Sequence, residues 1–127
     1  MTDIMWLVIA VILGMVHLGI AAQMAQKYRT PAWGFGPRDT PMEPQGVAAR
    51  MQRGYRNFME TFPLFAAALI AVVIQSKSGT LSHWGAALYV VARIVYVPLY
   101  AMGIPYIRTL AWVVSVIGIV LLIIAAF

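Results

Sequence analysis

The chain has 127 residues, 62% apolar and only 10% charged, with a formal net charge of +5 and no cysteine. Soluble domains carry about 25% charged residues, so this composition excludes a soluble enzyme with an ordinary surface and points to a membrane protein. The absence of cysteine excludes disulfides, thiolate metal sites and a cysteine nucleophile. The positive charge gathers between Lys27 and Arg56, as in a cytoplasmic loop, rather than forming a nucleic-acid surface.

The first predicted span covers residues 4–26. It is apolar from Ile4 to Ala22 apart from His17, has no basic leader and is too long for a signal-peptide core, which predicts a retained transmembrane helix. An ionisable side chain at mid-span is a functional candidate. The alternative for His17 is a neutral imidazole hydrogen-bonded to a neighbouring helix.

Residues 27–46, KYRTPAWGFGPRDTPMEPQG, form one long loop, because four prolines and three glycines interrupt any continuous helix. Trp33 and Phe35 suit the headgroup region. Arg38 and Asp39 read as a solvated pair, with a substrate contact as the alternative.

The second helix covers residues 47–75, and its first turns are polar. At about 100° per residue, Arg50, Arg53, Asn57 and Glu60 fall within roughly 80° of one another, with Arg56 further round. Gly54 beside this stripe allows another helix to come close. Two cations, an amide and an anion on one stripe suit a zwitterionic or polyanionic small molecule. Pro63 predicts a kink beside Glu60.

After a polar turn, the third span covers residues 82–102. Tyr89, Arg93, Tyr96 and Tyr100 fall within roughly 60° on its wheel. A lipid-facing Arg93 would cost at least ~2.5–3.5 kcal/mol, so it must face protein or a wet cavity. Pro98 predicts a second kink, and Tyr89 reads as a packing residue. The fourth span covers residues 108–127 and opens with Arg108 and Thr109.

These four spans predict an all-α integral membrane protein, a four-helix bundle in one domain over residues 1–127. The first and third loops share a side with the basic residues, while the opposite side offers only Lys77. Positive-inside bias puts those loops in the cytoplasm and both termini outside, in a bacterial inner membrane. The polar start of helix two, the Tyr96–Tyr100 end of helix three and Arg108 then share one membrane face.

The run ARMQRGYRNFMETFPLF, Ala49 to Phe65, resembles the signature of the MAPEG family, the membrane-associated proteins in eicosanoid and glutathione metabolism. Arg50, Asn57 and Glu60 match it in spacing, Gly54 stands where the signature has alanine, and Phe62 to Phe65 continue the likeness. Arg93, Tyr96 and Tyr100 are similar to helix three of glutathione-using members, and Arg108 falls where those members carry an arginine at the start of helix four. Thr109 and Trp112 occupy positions that carry serine and tyrosine in prostaglandin E synthase-like members. Two positions depart from the pattern. Ala49 replaces the leading glutamate, and no arginine clearly matches the family's at the end of helix one, Lys27 and Arg29 being loose candidates.

The resemblance implies a homotrimer in the membrane that binds glutathione between subunits and transfers it to a lipophilic electrophile or reduces a hydroperoxide. Arg50, Arg53, Arg56, Asn57, Glu60, Arg93, Tyr96, Tyr100 and Thr109 are the implied glutathione ligands, and Arg108 the implied catalytic residue. The chemistry is consistent. Arginines clamp carboxylates, Glu60 can take the amine, Asn57 can hold a backbone amide or orient Glu60, and an arginine lowers a thiol's pKa. No metal is implied. Two further readings are open. Arg50, Arg53 and Arg56 are juxtamembrane anchors for anionic lipid, or the chain is a lipid-binding protein of the same fold without turnover. A small multidrug transporter is disfavoured, because such chains resemble one with a glutamate in helix one and none is present here.

Overall fold

A computed structural model describes residues 2–127. Four long helices run through it: α1 (Asp3–Ala25), α3 (Gly46–Ile74), α4 (Thr80–Ala101) and α5 (Tyr106–Ala126). The loop after α1 is not featureless. A 3₁₀ turn (Gln26–Tyr28) and a short helix, α2 (Pro31–Phe35), form within it. Pro31 sits at the start of α2, where its missing N–H costs nothing, and the Thr30 hydroxyl caps it by accepting from Trp33 N–H at 3.2 Å.

All four long helices have the length and hydropathy of membrane spans. Their packing follows. The core holds Phe65, Leu69 and Val72 of α3, Ala86, Tyr89 and Val90 of α4, Ile119 and Leu122 of α5, and Ala10 of α1. The outward surface is equally apolar, with Ile12, Met15, Leu64, Val91, Leu110 and Ile124 all exposed. Exposed apolar side chains all round a bundle are what lipid, not water, requires.

The helix interfaces are set by small residues. Gly85 of α4 meets Gly118 of α5 backbone to backbone: a Cβ built at Gly118 would lie 2.6 Å from the Gly85 carbonyl and 2.8 Å from Tyr89 N. Only glycine allows this approach, the usual means of tight helix pairing where lipid removes the hydrophobic drive. Gly54 plays a looser version of the part. It is buried, with His17 of α1 on one side and the Tyr100 ring of α4 on another.

Pro63 and Pro98, where kinks are expected, lie inside helices that continue past them, α3 and α4. Each proline removes one backbone donor, and helical bonding resumes on both sides. At the end of α4, Gly103 adopts φ +73°, and the backbone closes with Gly103 N–H to Tyr100 O (3.0 Å) and Ile104 N–H to Leu99 O (3.1 Å). This left-handed glycine turn returns the chain into α5 and sets Arg108 back against α4.

The face remote from the basic loop has its own polar contacts. Ser82 Oγ accepts from Gly79 N–H at 2.9 Å and donates to the buried Asp3 carboxylate at 2.6 Å, tying the start of α1 to the start of α4. Lys77 Nζ donates to the carbonyls of Ala126 (3.1 Å) and Phe127 (2.7 Å), holding the α3–α4 turn beside the end of α5.

Candidate functional site

Arg93 is the most constrained polar residue in the bundle. It is fully buried (0% exposed) at mid-helix in α4. Its Nη1 donates to the side-chain oxygen of Asn57 on α3 at 2.9 Å. Its guanidinium lies 4.1 Å from the centre of the Tyr96 ring and 5.7 Å from that of Phe58. Nε and Nη2 are buried without a hydrogen-bond partner. Buried arginine donors are normally satisfied; these two are not, and Arg93's neighbours Asn57 and Tyr96 line an adjoining cleft. The Asn57 oxygen is occupied by Arg93. Its role is therefore to orient the arginine rather than Glu60, with its amide N–H groups left to donate.

The adjoining cleft has a volume of about 280 Å³ and is lined by Asn57, Tyr96, Tyr100, Arg108, Thr109 and Trp112. The Arg108 guanidinium stacks 4.5 Å from the Tyr100 ring centre. Tyr96 and Tyr100 lie at 5.6 Å, tilted by 55°, forming one wall. Thr109 Oγ1 donates back to the Pro105 carbonyl at 3.1 Å, and Thr109 lines the cleft. Trp112 was not among the expected ligands. Its position four residues after Arg108 places it on the same face of α5, and that spacing is the signal that would have found it.

The polar stripe of α3 divides. Asn57 turns inward to Arg93. Arg50 Nε donates to the Ala101 carbonyl at 2.9 Å, so this expected ligand residue closes the C-terminal end of α4. The last carbonyls of a helix lack intrahelical partners and carry the negative end of its dipole, which a guanidinium satisfies on both counts. Arg53, Arg56 and Glu60 are exposed on α3 and are not among the residues that line the cleft. Asn57, Tyr96, Tyr100, Arg108 and Thr109 line the cleft together, with Arg93 bonded to Asn57 beside it.

Three other expectations resolve. His17 is 2% exposed, and its Nε2 lies 3.0 Å from the Met51 carbonyl. A carbonyl only accepts, so Nε2 carries the proton and the imidazole links α1 to α3. Its ring meets Tyr55 edge-on at 5.6 Å. Arg38 does not pair with Asp39: it donates through Nε (3.2 Å) and Nη2 (3.0 Å) to the Gly34 carbonyl and lies over the Trp33 ring. Tyr89 is a packing residue, stacked on Phe65 at 4.0 Å and hydrogen-bonded to Thr61 at 3.0 Å.

Among the described residues no group of three or more histidine, aspartate or glutamate side chains is placed to hold a metal ion. No curated protein matches the chain. The sequence profile of the MAPEG family matches residues 4–127, essentially the whole length, and the chain belongs to that family.

Proposed function

We propose that this protein is a glutathione-dependent membrane transferase or peroxidase acting on lipophilic electrophiles or hydroperoxides. The observation that carries the proposal is Arg93: a buried guanidinium oriented by Asn57, with two donors open, beside a cleft that ends at Arg108. Glutathione supplies two carboxylates, an amine and a thiol. Arg93 and the Asn57 amide supply donors for a carboxylate, and Tyr96 and Tyr100 supply a ring wall and hydroxyls. Arg108, two residues into α5, stands at the positive end of that helix. A thiol placed beside it is favoured as thiolate, the nucleophilic form.

Arg53, Arg56 and Glu60 are exposed on a helix that enters the membrane. Charges in that position require cover. A neighbouring copy in a homotrimer supplies it, and Glu60 then offers the counter-charge for the glutathione amine across the interface. The site belongs on the cytoplasmic face of a bacterial inner membrane, with both termini on the periplasmic side.

The test is glutathione binding to the purified protein in detergent, followed by conjugation of a generic lipophilic electrophile, in wild type and Arg108→Ala. Binding with turnover that collapses in Arg108→Ala is expected. No binding at millimolar glutathione would overturn the proposal. Binding of lipid with no turnover in wild type would favour a non-catalytic lipid carrier of the same fold.

A further inference from the structure

The loop between α1 and α3 contains a second arginine cluster that the catalytic cleft does not use. Arg29 and Arg38 both lie over the ring of Trp33, at 4.8 and 5.2 Å from its centre. Each is held by a backbone carbonyl: Arg29 Nε donates to Met42 O at 3.2 Å, and Arg38 donates through Nε and Nη2 to Gly34 O. Trp33 is fixed in turn by Nε1 donating to the Thr40 carbonyl. Arg38 itself sits at φ +59°, a left-handed conformation that non-glycine residues adopt rarely. The loop thus holds two cations close together on one indole. Like charges repel, and surface arginines left free would spread apart.

These side chains, with Gln26, Thr30 and Gly34, line a cavity of about 360 Å³. Phe35 also lines it and is 96% exposed, the most exposed large apolar side chain before the C-terminus. Both ends of the loop leave membrane-spanning helices, so the cavity lies at the boundary between lipid and water. A paired guanidinium site there fits a phosphodiester, and an unpartnered phenyl ring beside it fits acyl chain.

We infer that Arg29, Arg38 and Trp33 form a binding site for the head group of an anionic phospholipid in the leaflet where the α1–α3 loop lies, with Phe35 inserted among that leaflet's chains. The head-group phosphate takes the guanidinium nitrogens that the two backbone carbonyls leave unused. The site is separate from the glutathione cleft and stands independently of it.

The full-length protein is reconstituted in vesicles of equimolar phosphatidylcholine and phosphatidylglycerol. It is then extracted in mild detergent, and retained lipid is counted by native mass spectrometry. Phosphatidylglycerol is expected in preference to phosphatidylcholine by on the order of tenfold, the scale of two membrane-surface arginines. The double variant Arg29→Gln/Arg38→Gln brings the ratio close to one, while Lys77→Gln on the opposite face leaves it unchanged. A wild-type ratio near one overturns the inference without recourse to any variant. So does a ratio retained in a double variant whose circular dichroism matches wild type. Stripping of the bound lipid by excess free glycerol phosphate would assign the cavity to a soluble phosphate instead.

Discussion

Asn57 and Arg93 allow stability and ligand binding to be separated. Asn57→Ala removes the 2.9 Å bond that is Arg93's hydrogen bond within the chain, leaving a fully buried guanidinium with three open nitrogens. A hydrogen bond to a charged group contributes about 1.5–3 kcal/mol, and the loss is felt in full because the charge stays behind. At a few degrees per kcal/mol, the unfolding midpoint in detergent should fall by roughly 5–10 °C. Replacing both partners behaves differently. In Asn57→Leu/Arg93→Met the buried charge is gone, and apolar side chains of similar size are neutral or stabilising in such places. The double variant should therefore unfold at or above the wild-type temperature while losing glutathione binding. The assay is a thermal melt followed by calorimetric titration with glutathione on the same preparations. An Asn57→Ala protein melting within about 2 °C of wild type would refute the electrostatic account of this pair. A double variant that still binds glutathione would refute Arg93 as the anion site.

Arg108→Ala loses an interaction with Tyr100 of only about 0.5–1 kcal/mol, so its melt should shift little while turnover drops sharply. Two of the buried glycines, Gly54 and Gly118, should respond with opposite signs. Gly54→Ala places a Cβ 3.4–3.6 Å from His17 and Tyr100, an ordinary contact, and gains up to about 1 kcal/mol of helix propensity. Gly118→Ala drives a Cβ to 2.6 Å from a backbone oxygen that cannot turn aside, and should cost about 1–3 kcal/mol or more. Because α4 and α5 carry Tyr100 and Arg108, the Gly118→Ala variant should also bind glutathione more weakly, read by the same titration. A reporter enzyme fused after Phe127 should be active only when exported, and a cytoplasmic signal would reverse the proposed orientation.

Hydropathy, the family signature and the two arginine-bearing helices were legible before any coordinates, because each rests on residue type and spacing along one helix. A mid-span arginine must be buried, and Arg93 is. What spacing does not carry is direction across helices. Arg50, Arg53, Asn57 and Glu60 share an 80° stripe on the helical wheel, at about 100° per residue, yet they serve different neighbours. Asn57 meets α4 at mid-helix, Arg50 meets its last carbonyl, and Arg53 and Glu60 are exposed. The difference comes from how α3 crosses α4, and that crossing is set by side-chain packing between helices.

The sequence by itself determined that this chain is four apolar helices with a basic loop and a polar stripe. Burying a helix's backbone in lipid leaves no other arrangement for such segments. Only the tertiary structure decided which polar groups meet. Arg93 finds Asn57 and keeps two buried donors without a partner, Arg108 is turned onto Tyr100 by the Gly103 turn, and Arg38 leaves Asp39 for Gly34 and Trp33. Each of these is a contact between segments, or a closure within a loop. A pattern read along one helix cannot contain it.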